Sequence, residues 1–332
     1  RMTGVNKRTL HYYDAEGIFK PDSVEPNGYR SYSYRQIYPF YMIRMFRQMG
    51  LEKLFGRAVF ALITAIAKHE CFRDRDQLAA PASREPGTGF FAFPRGARAG
   101  TCLHAILEDW MRGKGSLEQL VPLALQEHGI DTELWGAIAI AQLQAVLDTD
   151  LDGQGLRLSA LQANRRLPEL GFTFPVERLD VERLRALLAD PAFGLPEPMR
   201  QAAERLQFDE LKGYLKGFID LTFEHAGRWY ILDYKSNWLG PDDAAYTPAA
   251  MAGEILAKRY ELQYVLYLLA LHRLLRLRLP DYDYDTHIGG ALYLFLRGSQ
   301  APSRGIHAER PPRALIDALD RLFARRTTPE AA

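Results

Sequence analysis

Cysteine is scarce in this chain. Only Cys71 and Cys102 occur in 332 residues, they form no CxxC pair, and two thiols cannot supply the four thiolates of an iron–sulfur cluster. Such sparing use points to a reducing compartment. A global field is equally lacking, because 42 Lys and Arg stand against 41 Asp and Glu, a formal net charge of +1. Any affinity for a polyanion must then come from local patches. No apolar run is long enough to cross a bilayer and no leader peptide is visible, which predicts a soluble cytoplasmic protein with no membrane partner. No G-x-x-x-x-G-K-S/T loop occurs, so the chain encodes no ATP site and no motor. It begins at Arg1, as a fragment of a longer chain would.

What the chain does have is the stretch 216–240, KGFIDLTFEHAGRWYILDYKSNWLG, in which two runs rich in Phe, Ile, Leu, Tyr and Trp flank a short polar segment. This pattern predicts a β-hairpin. With its turn at Ala226 and Gly227, Glu224 faces Trp229, and the same register carries Asp220 opposite Asp233. Alternation then places Lys235 on the face of Asp233 and sends Ile219, Leu221 and Leu232 to the other. Two carboxylates about 4 Å apart at an effective dielectric near 20 repel by roughly 4 kcal/mol. A divalent cation offsets that repulsion best, and Mg²⁺ takes such hard oxygen ligands while leaving room for waters and phosphate.

These residues also carry a resemblance. Asp220 followed by Asp233-Tyr234-Lys235 resembles the signature of the PD-(D/E)xK nuclease superfamily, with Asp where Glu is commoner. The surrounding stretch is similar to the nuclease domains of the RecB type, as are AKRYELQYVLYLLALHRLLR, DYDYDTHIGGALYLFLRG and FPRGARAGTCLHAILEDW. The likeness covers roughly 73–324. It implies a metal-dependent deoxyribonuclease, with Asp220, Asp233, His104 and the Tyr234 carbonyl holding one or two Mg²⁺ ions, or Mn²⁺ in their place. Lys235 would orient or deprotonate the attacking water, or neutralise the developing oxyanion. Read alone, His104 on TCLHAILEDW would be a core or surface histidine sharing a helix face with Glu108. The resemblance makes it a metal ligand, and Glu108 a weak ligand or a support behind the ligands. Gln263 and Tyr267 would by themselves be a helix-surface contact worth a few tenths of a kcal/mol. They match the Q-x-x-x-Y motif of RecB-like nucleases, in which Gln and Tyr can hold phosphate, a water or the DNA backbone. The substrate implied is single-stranded DNA, cut as by an exonuclease of recombination and repair. RecC-like and RecD-like subunits are implied as partners, and cleavage by the isolated domain is expected to be weak.

The first segment has another character. Residues 1–57 carry ten Lys or Arg against five Asp or Glu and many tyrosines. TGVNKRTLHYYDAEGIFKPD, NGYRSYSYRQI and IRMFRQMGLE resemble the winged helix-turn-helix of MerR-family regulators. On that likeness Lys7 and Arg8 lie at the entry of a recognition helix, and Tyr29 and Arg30 on an Asn-Gly wing that touches phosphate. The first helix of the motif is missing, so specific operator binding by this segment alone is not expected. No heptad stretch long enough for a dimerising coiled coil follows. We read a join between two unrelated parts at about 56–73, with a short helix over 56–69 and a Pro/Gly-rich linker to 100.

Elsewhere, helical spacing marks 120–127, 134–147, 181–188 and 197–206 as a helical insertion, and 165–174 as a strand. A long helix is expected over 247–277 with Pro near its start, a buried strand over 287–296 and an amphipathic helix over 311–323. The fold class expected is mixed α/β: a restriction-endonuclease-like αβββαβ core with a helical insertion, preceded by a small winged-helix-like segment. The expected units are 1–56, the helix and linker 57–100, and the nuclease domain 101–326. The competing function is a non-enzymatic MerR-type transcriptional regulator.

Overall fold

The computed structural model describes residues 21, 23–24, 30–31, 88–179, 181–204, 206 and 211–324. Lys7, Arg8, Tyr29, the helix expected over 56–69 and the first part of the linker lie outside them. Arg30 lies inside, because β1 (Ser23–Val24) pairs antiparallel with β2 (Arg30–Ser31), Val24 opposite Arg30, across the segment expected as the wing.

α1 (Ala97–Met111) buries Ala99, Cys102, Leu103, Ile106, Leu107 and Met111, the stripe that helical spacing dictates. His104 and Glu108 are left on its half-buried flank. α2 (Leu117–Glu127) begins at a capping box between Ser116 and Gln119, and α3 (Thr132–Asp148) begins where Asp131 accepts the Leu134 N–H at 3.0 Å. Each cap satisfies backbone donors that a helix start leaves open. β3 (Arg166–Leu179) outruns the expected 165–174 because β4 (Leu211–His225) begins early enough to pair with the extra residues. Between them lie α4 (Val181–Ala189) and α5 (Glu197–Glu204). After β5 (Arg228–Lys235) come α6 (Pro248–Ala257), α7 (Tyr260–Arg278), α8 (Tyr284–His287), β6 (Ile288–Phe295), β7 (Ile306–Glu309) and α9 (Arg313–Ala324).

The sheet runs in the order β3-β4-β5-β6-β7, with β5 and β6 parallel and the other neighbours antiparallel. A parallel pair needs a crossover, and α6 and α7 supply it. One face of the sheet packs against α1, α2 and α3, the other against α4 to α9. The expected αβββαβ order is therefore present, with the short edge strand β7 added. Among the described residues no helix is long and apolar enough to cross a membrane.

The helix expected as one element over 247–277 is two. Arg259 adopts φ +60°, a left-handed conformation that ends one helix and lets the next start at a new angle. Its guanidinium is held by the Ala202 carbonyl and, at 2.7 Å, by the carboxylate of Glu261.

The hairpin forms around Ala226 and Gly227, whose φ of +50° and +78° are those a tight type I′ turn needs, and Glu224 faces Trp229. Beyond that the expected regularity stops at the acids. The ladder closes with Leu221 opposite Leu232, so Asp220 and Asp233 occupy the first unpaired level. Alternation also breaks there. Ile219 packs in the core beneath α7, whereas Leu221 and Leu232 both pack in the core beneath α1. The neighbouring strand is irregular at the same level: Pro168 faces Leu221 and Leu170 faces Ile219, but Glu169 between them has φ +53° and makes no ladder pair. Such a local distortion re-aims side chains beside functional sites.

Candidate active site

The opened end of the hairpin gathers the ionisable groups. With the backbone ladder gone, the Asp220 carboxylate accepts the Tyr234 N–H at 2.9 Å, and the same oxygen stands 3.2 Å from His104 Nδ1 on α1. His104 is 34 % exposed and Asp220 15 %, so the imidazole forms the mouth and the carboxylate the floor. Asp233 and Lys235 point the same way from β5, as alternation requires, and Lys235 Nζ lies 2.6 Å from Asp233 Oδ1 with both side chains buried.

α7 closes the other side. Lys235 Nζ donates to Gln263 Oε1 at 3.1 Å, and Gln263 Nε2 donates to the Tyr267 hydroxyl at 3.0 Å. Gly217 makes room for that tyrosine, since a Cβ there would sit 2.5 Å from the Phe172 ring and 3.3 Å from the Tyr267 ring. Two further tyrosines, not foreseen in the sequence, enclose the lysine: Nζ is 3.6 Å from the Tyr260 ring centre and 4.8 Å from that of Tyr293. The Tyr293 hydroxyl is 2.8 Å from the Tyr260 carbonyl, to which it donates, and 3.2 Å from Gln263 Oε1.

Glu169 is the acid the sequence reading missed. It lies at the Asp220 level of β3, and burial, then Asp220 and Glu108, push its carboxyl up to about 7. Its only sequence signal was a single acid in RRLPELGFTF, and its pairing level with Asp220 depends on a register set some 50 residues away. Glu108 itself is engaged by Arg112 Nε at 2.8 Å.

The electrostatics divide the two aspartates. Burial and the repulsion of Asp220 push Asp233 up to about 6 although Lys235 opposes it. Burial would raise Asp220 too, but His104, the Tyr234 N–H and Lys235 hold it below the usual carboxylate range. Burial would depress His104, yet Asp220, with help from Asp233, carries it up to about 9. Neutral, this ring offers a lone pair to a cation; protonated, it offers charge to Asp220. Among the described residues the donors form no closed cage of three or more, but stand as the pairs His104–Asp220 and Asp233–Lys235. The donor chemistry fits a hard divalent ion all the same. Glu169 and Asp233 are both driven toward protonation, by burial first and then by the neighbouring charge of Asp220, which a bound cation would offset.

A mixed sheet whose hairpin ladder opens where two acids and a lysine gather beside a helix-borne histidine defines a class. Residues 90–330 match the PD-(D/E)XK nuclease superfamily, and the chain belongs to it. The chain is therefore a nuclease, of a superfamily whose members generally use divalent metal ions. Residues 1–52 match the MerR HTH family regulatory protein model. Among relatives, the RecBCD enzyme subunit RecB of Escherichia coli is 42 % identical over 259 residues, covering 74 % of this chain and 21 % of that protein. The RecB subunit of Mycolicibacterium smegmatis is 34 % identical over 262 residues, covering 69 % and 24 %. That of Haemophilus influenzae is 32 % identical over 286 residues, covering 82 % and 23 %. The chain thus spans about a fifth to a quarter of the length of these relatives.

Proposed function

We propose that this chain hydrolyses phosphodiester bonds of DNA, single-stranded by preference, with Mg²⁺ as its ion, as the nuclease unit of a RecB-type recombination and repair enzyme. The observation that carries the reading is the meeting of His104, Asp220, Asp233 and Lys235 at the one level where the hairpin ladder opens. Asp220, Asp233 and His104 would hold the ion, with the Tyr234 carbonyl as a further ligand and Glu169 and Glu108 adding negative charge. A divalent ion bound there supplies the Lewis acidity that activates water and offsets charge on the scissile phosphate.

The chain's own groups do the rest. Lys235, steered by Asp233, Gln263 and the two tyrosine faces, aims a cation at the attacking water or the developing oxyanion. Gln263 and Tyr267 present an amide and a hydroxyl that can position phosphate. Asp220, fixed by the Tyr234 N–H, keeps His104 turned toward the acids.

In this reading 101–326 is the catalytic unit, 57–100 a joining segment and 1–56 a separate part. The recombination role brings RecC-like and RecD-like partners and a cytoplasmic setting. For 1–56 we propose DNA-backbone contact through Lys7, Arg8, Tyr29 and Arg30, supported by the MerR match and by the β1–β2 pairing across the expected wing. The test is digestion of end-labelled linear DNA, single- and double-stranded, with Mg²⁺, Mn²⁺ or a chelator. Faster loss of the single strand with Mg²⁺ and none with chelator is expected; digestion that survives the chelator contradicts the proposal.

A further inference from the structure

We infer that Arg95 and Trp238 form a stacking platform for one nucleobase of the strand bound at the active site, a subsite that rests on the nuclease reading above. The Arg95 guanidinium carbon lies 3.7 Å from the centre of the Trp238 ring. Arg95 is exposed and Trp238 half-buried, so the guanidinium covers the indole from the solvent side.

The place of this pair in the chain matters. Arg95 lies two residues before the start of α1, the helix that carries His104, and Trp238 is three residues past Lys235. With a rise of 1.5 Å per residue, the start of α1, next to the platform, stands about 10 Å along the helix from His104, a span of one or two nucleotides. Gly100 brings the start of α1 against the end of β5, where a Cβ would meet Ser236 Oγ at 3.0 Å.

Both halves are pinned by buried groups. Arg297, 1 % exposed, donates to the carbonyls of Phe90 at 2.7 Å, Phe93 at 3.1 Å and Pro94 at 2.9 Å, and through Nε to that of Ser236 at 3.0 Å. One guanidinium therefore ties the loop before Arg95 to the loop before Trp238. Tyr246, also 1 % exposed, clasps the backbone on either side of Trp238: its hydroxyl accepts the Leu239 N–H at 3.3 Å and donates to the Asn237 carbonyl at 3.1 Å.

A rigid Arg–indole stack at the edge of a phosphodiesterase site is suited to one task. A base out of its duplex has an open π-face, and guanidinium planes and aromatic rings stack on such faces without regard to sequence. In a duplex both faces of an internal base are already covered, so the platform selects single strands.

Fluorescence anisotropy of the full chain in chelator tests this, with labelled oligothymidylate and a strand of equal length made of abasic residues. The chain is expected to hold oligothymidylate roughly tenfold more tightly. Trp238→Ala and Arg95→Lys should erase that difference while leaving abasic binding unchanged. Arg95→Lys keeps the charge but loses the plane, so it decides the matter if Trp238→Ala fails to fold. Equal loss on both strands, no loss on either, or no preference by the parent chain overturns the platform. Because chelator removes cleavage from the experiment, these outcomes are independent of the digestion test of the nuclease reading.

Discussion

At the residue scale, the behaviour of the site turns on how its few charges are held. Glu169 shares its charge with Asp220 and Glu108, so removing that charge should disturb the acids rather than the fold. Glu169→Gln is expected to lower the turnover of DNA cleavage by roughly 10²-fold without lowering the thermal midpoint; full activity would place Glu169 outside the machinery. Tyr293 acts on Lys235 through its ring, and its hydroxyl, which donates to the Tyr260 carbonyl, lies against Gln263 Oε1. Tyr293→Phe keeps the ring face and should cost about threefold to tenfold in kcat with KM unchanged, the loss expected of one neutral hydrogen bond. Tyr293→Leu should fall further, because the ring face is gone as well. Steady-state kinetics on a single-stranded substrate separate the two.

At the scale of elements, the break between α6 and α7 buries a charge. Glu261 is 2 % exposed, and burial outweighs the attraction of Arg259, pushing its carboxyl up from 4.5 to about 7. Between those values the folded chain keeps a proton that the unfolded chain has released, so stability falls as pH rises through the window and the penalty is complete above it. Glu261→Gln should flatten that slope, recovering on the order of 2 to 3 kcal/mol at neutral pH; denaturant melts at both ends of the window measure it. Arg297 is the counterpart, a buried cation that serves carbonyls of two loops. Arg297→Met leaves those acceptors without donors and should cost roughly 3 to 5 kcal/mol, read in the same melts.

Most elements were legible in the sequence, because periodicity and turn chemistry are local. The hairpin was read to its turn, from Ala226-Gly227 between two apolar runs, and α1, α2, α3 and α9 from their apolar stripes. What escaped was set by contacts distant in sequence. The left-handed Arg259 that divides α6 from α7 has no signature in an unbroken helical pattern, since its partner Ala202 lies far upstream. The end of the ladder at Leu221 follows from the distortion at Glu169 on another strand. Within the site, the hairpin pattern reached Asp220, Asp233 and Lys235, and the family resemblance pointed to His104, Gln263 and Tyr267. The residues that enclose them, Glu169, Tyr260 and Tyr293, could be found only once the sheet and α7 were in place.

At the scale of the whole molecule, a near-neutral chain must gather its charge where it is used. The acids of the site gather where the β3–β4 and β4–β5 ladders are interrupted, and the 1–57 segment holds twice as many Lys and Arg as Asp and Glu. The matched stretch corresponds to about a fifth of its Escherichia coli relative. The claim on which all of this depends is that Asp220 and Asp233 share a divalent ion. A crystal soaked in Mn²⁺ and measured at the manganese edge tests it directly. The account predicts an anomalous peak within about 2.5 Å of both carboxylates, beside His104 and lost in Asp233→Ala. A peak bound elsewhere, or none at saturating Mn²⁺, would contradict it.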